Sequence, residues 1–221
     1  MVQTMNQSLS IPHLGYCDEL HMDKLIHFRN SLKPTADARG LKKLSYMPFI
    51  IKAISLALKK YPVINSRINP DLTEISLLAS HNIAIAVATP FGLAVPNIKN
   101  VQDLSIFEVA EQLGMVIEKA NANKLAPADL AGSTFTLSNI GAIGGTYASP
   151  VLVPPQVCIG ALGKVQKLPR FAPNGEVVPV QIMNISWSAD HRVVDGAAIA
   201  NFSNLFKHYI EEPMSMLLDT K

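Results

Sequence analysis

The sequence has few charged residues and no long apolar segment. Only 16% of its 221 residues are charged, whereas 48% are hydrophobic. No run of about 18 consecutive apolar residues occurs, so we expect no transmembrane helix. No signal or transit peptide is recognisable at the start of the chain. A chain this apolar without a membrane span is typical of a protein with extensive contacts between subunits.

Cysteines are scarce, and neither sign of charge dominates. Cys17 and Cys158 are far apart and form no C-x-x-C motif, which predicts free thiols in a reducing compartment. The net charge is +2 with scattered basic residues, which argues against nucleic acid as a partner. A chain of this length can bury one sizeable core, and no internal repeat divides it. We therefore expect one domain over residues 1–221.

One stretch, residues 185–196, combines reactive side chains with a change from strand to helix. An apolar run over residues 177–185 predicts a buried strand, and residues 197–210 predict an amphipathic helix. His191 and Asp195 therefore fall in the turn between the two elements. Turns held by rigid elements are frequent places for catalytic groups.

The side chains in this turn are typical of general base catalysis. The His191 imidazole is the usual kind of general base near neutral pH, and Asp195, four residues on, is close enough to orient or charge-balance its surroundings. Asp190 and Arg192 could form a supporting ion pair. One histidine and one aspartate are too few ligands for a metal, so no metal site is predicted. A histidine near a carboxylate is more often structural than catalytic, and the motif alone leaves that alternative open.

The rest of the chain predicts strands interspersed with helices. Helices are predicted over residues 22–33 (ended by Pro34), 49–60 (with Ser45 as N-cap), 105 to about 120 (with a Ser105–Glu108 capping box), 127–130 and 213–218. Strands are predicted over residues 63–68, 74–78, 82–88, 93–98, 133–139, 157–162 and 164–171, the last followed by a hairpin turn at 173–175. The pattern predicts an α/β fold with a mixed sheet covered by helices.

Two stretches together resemble a known family. They are residues 132–141, Gly-Ser-Thr-Phe-Thr-Leu-Ser-Asn-Ile-Gly, and residues 186–196, Ser-Trp-Ser-Ala-Asp-His-Arg-Val-Val-Asp-Gly. Both resemble the catalytic core of the dihydrolipoyl acyltransferases of 2-oxo acid dehydrogenase complexes, and the resemblance covers essentially the whole chain. The H-x-x-x-D-G pattern is shared with the chloramphenicol acetyltransferases, whose fold is therefore implied. Residues 11–19, 44–49 and 137–145 are most similar to the branched-chain type.

The resemblance implies transfer of a branched-chain acyl group between S-acyl-dihydrolipoyl-lysine and coenzyme A. His191 would be the general base on the coenzyme A thiol, and Ser138 would donate a hydrogen bond to the tetrahedral oxyanion. One such donor is worth about 3 kcal/mol. Asp195 would have a structural and electrostatic role, holding the turn and a nearby arginine, and would not transfer a proton. Without the histidine motif, Ser138 would be taken for an ordinary edge-strand serine.

The resemblance also implies where coenzyme A binds. The positions that match the family's coenzyme A contacts are Arg29, Ser45, Ser138, Asn139 and Gly163. Arg29 could pair with a nucleotide phosphate, or it could be a solvated surface charge. The chain departs from the family at Ala88, where relatives commonly have an aspartate. Any coenzyme contact with that carboxylate is absent here.

The assembly implied is a homotrimer whose active sites lie between subunits, with His191 from one chain and Ser138 from its neighbour. Trimers of the branched-chain type would form a hollow cube of twenty-four subunits. The implied partners are a lipoyl domain outside this chain, a decarboxylase and a dihydrolipoyl dehydrogenase. No Asp-Lys-Ala lipoylation hairpin and no Pro/Ala-rich linker occur in the sequence. Residues 1–221 are therefore expected to be the catalytic and assembly domain alone.

Several alternatives stay beside this expectation. One is an acetyl or succinyl transferase of a sister complex. Another is a non-catalytic core scaffold, which would need neither His191 nor Ser138. A third is a free-standing acetyltransferase for a small hydroxyl compound, against which the branched-chain-like stretches argue. The implied compartment is the mitochondrial matrix, with a bacterial cytoplasm as the alternative.

Overall fold

A mixed β-sheet dominates the computed structural model, which describes residues 2–220. The α-helices are α1 (Val2–Leu9), α2 (Asp23–Ala38), α3 (Met47–Lys60), α4 (Ile106–Asn121), α5 (Pro127–Leu130) and α6 (Gly196–Glu211). The strands are β1 (His13–His21), β2 (Ser66–Ile68), β3 (Ile75–Leu77), β4 (Ile83–Thr89), β5 (Gly92–Ala94), β6 (Asn97–Ile98), β7 (Phe135–Asn139), β8 (Cys158–Leu162), β9 (Gln166–Phe171) and β10 (Val177–Asp190). Short 3-10 helices cover Pro62–Asn65, Val101–Asp103, Ile140–Ala142 and Pro213–Leu218. Within residues 2–220, none of the helices has the length and apolar character that crossing a membrane requires.

Most of the strands belong to one sheet in the order β1-β10-β8-β7-β4-β5. Strand β6 adds to β4, and β9 adds to the first half of β10. Strand β7 runs parallel to both β4 and β8, and the other pairs are antiparallel. Strands β2 and β3 form a separate hairpin. The prediction of a mixed sheet with helices is thus confirmed.

One face of the sheet packs on the helices and forms the hydrophobic core. The Trp187 ring from β10 meets Phe202 and Phe206 of α6 edge-on at centroid distances of 5.2 and 5.4 Å. Its indole N–H donates to the Ser203 hydroxyl at 2.9 Å, so burial leaves this polar group satisfied. Helix α3 is buried continuously from Pro48 to Leu58. Because side chains alternate along a strand, the neighbours of these core residues point to the opposite face.

Several boundaries differ from the sequence predictions. Helix α2 does not end at Pro34 but continues to Ala38. Pro34 has no N–H for the Asn30 carbonyl, yet both residues are exposed, so that carbonyl can be hydrated. Strand β10 extends to Asp190, and its first half is partly exposed because only β9 flanks it. The predicted burial of residues 177–185 is therefore wrong for residues 177–181 and confirmed for residues 182–185.

Other differences concern short elements. The predicted strand over residues 93–98 is split into β5 and β6, and Val63–Asn65 lies in a 3-10 helix rather than in β2. Ser45 is not the N-cap of α3, because Tyr46 occupies that position and the Ser45 hydroxyl instead accepts from the Met47 N–H at 3.3 Å. Helix α1 has no counterpart among the predicted elements. The Ser105–Glu108 capping box of α4 is confirmed in both of its hydrogen bonds.

Candidate active site

The turn between β10 and α6 is fixed at its start by an ion pair. Asp190 is the last residue of β10, and its side chain is only 2% exposed. Its carboxylate accepts hydrogen bonds from the Arg192 Nε at 2.9 Å, from Nη2 at 2.7 Å and from the backbone N–H at 3.0 Å. The hydrogen bond to Asp190 raises the pKa of the Arg192 guanidinium above its ordinary value. This supporting ion pair was predicted, and it holds the backbone on both sides of His191.

His191 is anchored through its backbone and through one ring nitrogen. Its backbone N–H donates to the Pro12 carbonyl at 2.9 Å. The Nδ1 atom lies 3.1 Å from the Val194 carbonyl oxygen, and a carbonyl can only accept, so Nδ1 carries the proton. The Nε2 atom then keeps its lone pair, and the residue is exposed. This arrangement suits a general base acting through Nε2.

Asp195 occupies the N-cap of α6 and is not hydrogen-bonded to the histidine. Its carboxylate accepts from the Ala198 N–H at 2.7 Å. An aspartate at this position satisfies an otherwise free N–H and interacts favourably with the helix dipole. The geometry therefore gives Asp195 a part in fixing the end of the turn, with no contact that would relay a proton to the imidazole.

Ser138 lies inside the sheet and far from His191 of the same chain. Strand β7 runs between β4 and β8, so the edge-strand alternative for Ser138 is wrong. Ser138 is in register with Ala161, which in turn is in register with Ser186 of β10. His191 follows five residues after Ser186, which places it about 17 Å further along the strands and about 10 Å across them. The chain by itself does not bring Ser138 to His191.

Most of the other predicted coenzyme positions meet at one cleft. A cavity of about 280 Å³ is lined by Ser45, Asn139 and Gly163 together with residues of α3 and of the turn at Gly141 and Ala142. The Asn139 amide nitrogen lies 3.5 Å from the Met47 sulfur on the helix side of the sheet. Side-chain alternation sends Ser138 to the other face. Ser138 and Asn139 are thus neighbours in sequence that serve opposite faces of β7.

Arg29 stands beside this cleft. Its Nε donates to the Leu44 carbonyl at 2.7 Å, and its guanidinium lies 5.0 Å from the centre of the Tyr46 ring. These contacts fix the segment that carries Ser45. They are unlike those of a freely solvated surface charge, which was the alternative for this residue.

Gly141 and Gly163 line the cleft, as do Met47 and Lys164. A Cβ atom on Gly141 would lie 2.2 Å from the Gly163 carbonyl oxygen, and one on Gly163 would lie 2.3 Å from that of Thr146. Both glycines are therefore required for backbone packing, whether or not a ligand binds. No sequence motif marks Met47 or Lys164, so neither was predicted as a site residue.

A second and larger hollow adjoins the cleft. It has a volume of about 560 Å³, lies between the α2–α3 connection and α4, and shares Ser45 with the cleft. Its wall includes Lys42 and Lys43, the first of which pairs with Glu118 at 3.1 Å. No sequence motif marks this hollow, because its two walls are about 70 residues apart in the chain.

Comparison with known proteins supplies the family context. The family model described as 2-oxoacid dehydrogenases acyltransferase (catalytic domain) matches residues 1–218. The chain is 55% identical over 221 residues to the lipoamide acyltransferase component of the branched-chain alpha-keto acid dehydrogenase complex, mitochondrial, from Bos taurus. That match covers 100% of this chain and 46% of the bovine protein. The chain spans about half the length of the curated relatives it matches.

Solved structures agree with this context. Two have a TM-score of 0.93 and 31% identity, with 98% of this chain and 88% of each of those chains covered. One is the cubic core of the pyruvate dehydrogenase multienzyme complex. The other is the dihydrolipoamide acetyltransferase of Azotobacter vinelandii, studied for the role of a serine, a histidine and an asparagine in its catalytic mechanism. A chloramphenicol acetyltransferase, at 15% identity and a TM-score of 0.58, shares the fold, which confirms the predicted fold class.

Proposed function

The chain belongs to the family of 2-oxoacid dehydrogenase acyltransferase catalytic domains, and we propose that it transfers a branched-chain acyl group between S-acyl-dihydrolipoyl-lysine and coenzyme A. The observation that carries this proposal is the exposed His191 with its proton held on Nδ1. The branched-chain assignment is supported by the 55% identity to the bovine lipoamide acyltransferase component.

The reaction needs one base and one oxyanion donor. The Nε2 atom of His191 takes the proton from the coenzyme A thiol, and the thiolate attacks the carbonyl carbon of the acyl thioester. The new C–S bond converts the carbonyl oxygen into an oxyanion, to which the Ser138 hydroxyl donates a hydrogen bond. Collapse of this intermediate breaks the bond to the dihydrolipoyl sulfur. That sulfur recovers the proton from His191.

A trimer joins the two catalytic groups, with Ser138 supplied by the neighbouring chain. The separation of Ser138 from His191 within one chain supports this arrangement, because a single oxyanion site must lie near both groups. The high apolar fraction of the chain is in keeping with large interfaces. Each chain contributes one histidine to one site and one serine to the next.

Coenzyme A occupies the two hollows that meet at Ser45. An elongated ligand suits this path, since its thiol end can pass Asn139 and Gly163 while its phosphates lie toward Lys42 and Lys43. Arg29 holds the Ser45 segment and adds positive charge beside it. Ala88 supplies no carboxylate at the position where relatives commonly carry aspartate.

The Azotobacter enzyme supports the catalytic assignment of the turn. Its histidine and asparagine are four residues apart, as are His191 and Asp195. An asparagine cannot act as a base, yet it can cap a helix as an aspartate does. This agrees with a role for Asp195 in holding the turn.

Residues 1–221 act as the catalytic and assembly domain of a larger complex. Its trimers form a cage, a cube of twenty-four subunits, with the lipoyl group on a domain outside this chain and with decarboxylase and dihydrolipoyl dehydrogenase components as partners. The likeness to a cubic core supports this. The side chains of Met214, Leu217 and Leu218 near the end of the chain are apolar and exposed, which also supports assembly. The mitochondrial matrix is the proposed compartment, after the bovine relative.

An acceptor assay tests the function. We expect isobutyryl transfer from isobutyryl-CoA to dihydrolipoamide and none to a small alcohol such as chloramphenicol. Transfer to the alcohol would identify a free-standing acetyltransferase-like enzyme. A correctly assembled protein with no transfer to either acceptor would identify a scaffold.

A further inference from the structure

A second histidine, His13, is hydrogen-bonded to Ile11, next to Pro12, whose carbonyl accepts the backbone N–H of His191. We propose that His13 is a positioning residue for His191, and that its neutral imidazole ties the turn that carries His191 to the loop around Leu152. The inference rests on the proposed function and adds to it a residue that lies outside the candidate catalytic and coenzyme positions.

The His13 ring uses both nitrogens in different ways. Its Nδ1 lies 2.8 Å from the Ile11 carbonyl oxygen, so this nitrogen carries the proton and donates. Its Nε2 accepts a hydrogen bond from the Leu152 N–H at 3.1 Å, and the Ser8 hydroxyl lies 3.5 Å from the same atom. Only the neutral ring with its proton on Nδ1 satisfies both backbone partners.

The bond to Ile11 acts on His191 through Pro12. The ring reaches back over two residues and closes a small side-chain turn around Pro12. The Pro12 carbonyl accepts the His191 N–H at 2.9 Å. Directly after this contact, His13 begins β1 opposite Asp190, the last residue of β10. The ring therefore sets the direction of the carbonyl that anchors the backbone of the catalytic turn.

The bond to Leu152 connects this anchor to a loop 139 residues away in sequence. Leu152 is fully buried, although it lies in a stretch without helix or strand. The loop on either side of it is attached to β10, with the Ala148 N–H on the Ser186 hydroxyl and the Asp190 N–H on the Val157 carbonyl. Removing the His13 ring would leave the buried Leu152 N–H without its acceptor.

Protonation of His13 would turn Nε2 into a donor that faces the Leu152 N–H. The groups around the ring do not offset this change. Asp190, opposite in the strand pair, is already neutralised by Arg192, helix α1 presents only the Ser8 hydroxyl, and residues 149–152 carry no titratable side chain. A protonated ring would therefore lose the Leu152 contact and with it the link between that loop and the turn that carries His191.

The test compares the wild-type assembly with His13→Ala, His13→Gln and the control His208→Ala, an exposed histidine on α6. We expect His13→Ala to lower kcat about tenfold to a hundredfold, as small misplacements of a catalytic group do, while KM for coenzyme A stays unchanged. His13→Gln offers a non-titrating acceptor to Leu152 and should restore most of kcat.

A wild-type kcat in His13→Ala overturns the proposal, and so does a kcat in His13→Gln that is as low as that of His13→Ala. If His13→Ala does not fold, His13→Gln decides alone, because a folded glutamine variant with a strongly reduced kcat overturns the proposal. A readout without acyl transfer is the rate at which diethyl pyrocarbonate modifies His191, followed by mass spectrometry. It should differ from the wild-type rate in His13→Ala and return to it in His13→Gln. If the wild type transfers no acyl group, the proposed function fails, and an unchanged modification rate in His13→Ala would separately refute the role of His13.

Discussion

The Nδ1 atom of His191 and the carbonyl oxygen of Val194 lie 3.1 Å apart within a single turn. The contact decides the chemistry of the imidazole, because it assigns the proton to Nδ1 and leaves Nε2 as the basic atom. The same turn is held by the Asp190–Arg192 ion pair on one side and by the Asp195 cap on the other. A base whose ring nitrogen and backbone are both fixed does not have to be ordered again in each catalytic cycle.

Mixed trimers test whether each site combines two chains. Ser138→Ala alone should lower kcat about a hundredfold or more, since the oxyanion loses a donor. Trimers refolded from equal amounts of Ser138→Ala and His191→Ala chains should regain about a quarter of the wild-type activity, because one site in four then has both groups intact. Activity is measured after co-refolding, with unexchanged mixtures of the two variants as the control. No recovery after verified subunit exchange would place both groups in the same chain.

The Asp195 cap should contribute to stability apart from its place in the site. Asp195→Ala removes the acceptor for the Ala198 N–H and should cost about 1 kcal/mol. Asp195→Asn keeps an oxygen at the same place and should stay within a few tenths of a kcal/mol of the wild type. Urea unfolding of both variants measures the difference. Equal losses in the two variants would mean that the negative charge, and not the cap, is what the fold requires.

His81 should make the protein less stable in mild acid. It is 5% exposed, its Nδ1 lies 2.8 Å from the Ser55 hydroxyl, and burial lowers its pKa to about 4, with the Lys59 and Lys52 charges acting in the same direction. In the unfolded chain the imidazole binds its proton near pH 6.5. Between these values the unfolded state holds more protons, so stability falls as the pH falls.

Because of His81, the free energy of unfolding should fall by up to about 3 kcal/mol on going from neutral pH to pH 4. Unfolding of the wild type and of His81→Gln by urea across that range measures it. The glutamine side chain does not titrate, so the free energy of unfolding of this variant should depend less on pH. Parallel curves for the two proteins would contradict the assigned pKa of His81.

Local patterns in the sequence predicted the elements that pack locally. The largely apolar run Cys158–Leu162 predicted β8, and the spacing of Ser105 and Glu108 predicted the start of α4. Predictions from the local pattern were wrong where contacts between residues far apart in the sequence determine where an element ends. Helix α2 continues through Pro34 because Ala36 is buried further along, and β10 reaches Asp190 because β1 and β8 flank it there.

The candidate site was predictable only where a motif marks it. His191, Asp195 and Ser138 were found through the motifs, and the structure puts the first two in one turn. The role of Asp195 as a cap could have been read from its position before an apolar helix. The His13 contact could not, because its partner Leu152 is 139 residues away and nothing in the local pattern joins them.

The most direct test of the account is acyl transfer from isobutyryl-CoA and from acetyl-CoA to dihydrolipoamide, for the wild type and for His191→Ala. We expect the wild type to prefer the isobutyryl group. The variant should lose at least about 10²–10⁴-fold in kcat, the usual contribution of a general base, while remaining assembled. A preference for acetyl would move the chain to the pyruvate type. Near-normal activity in His191→Ala would contradict the central claim that this histidine is the base.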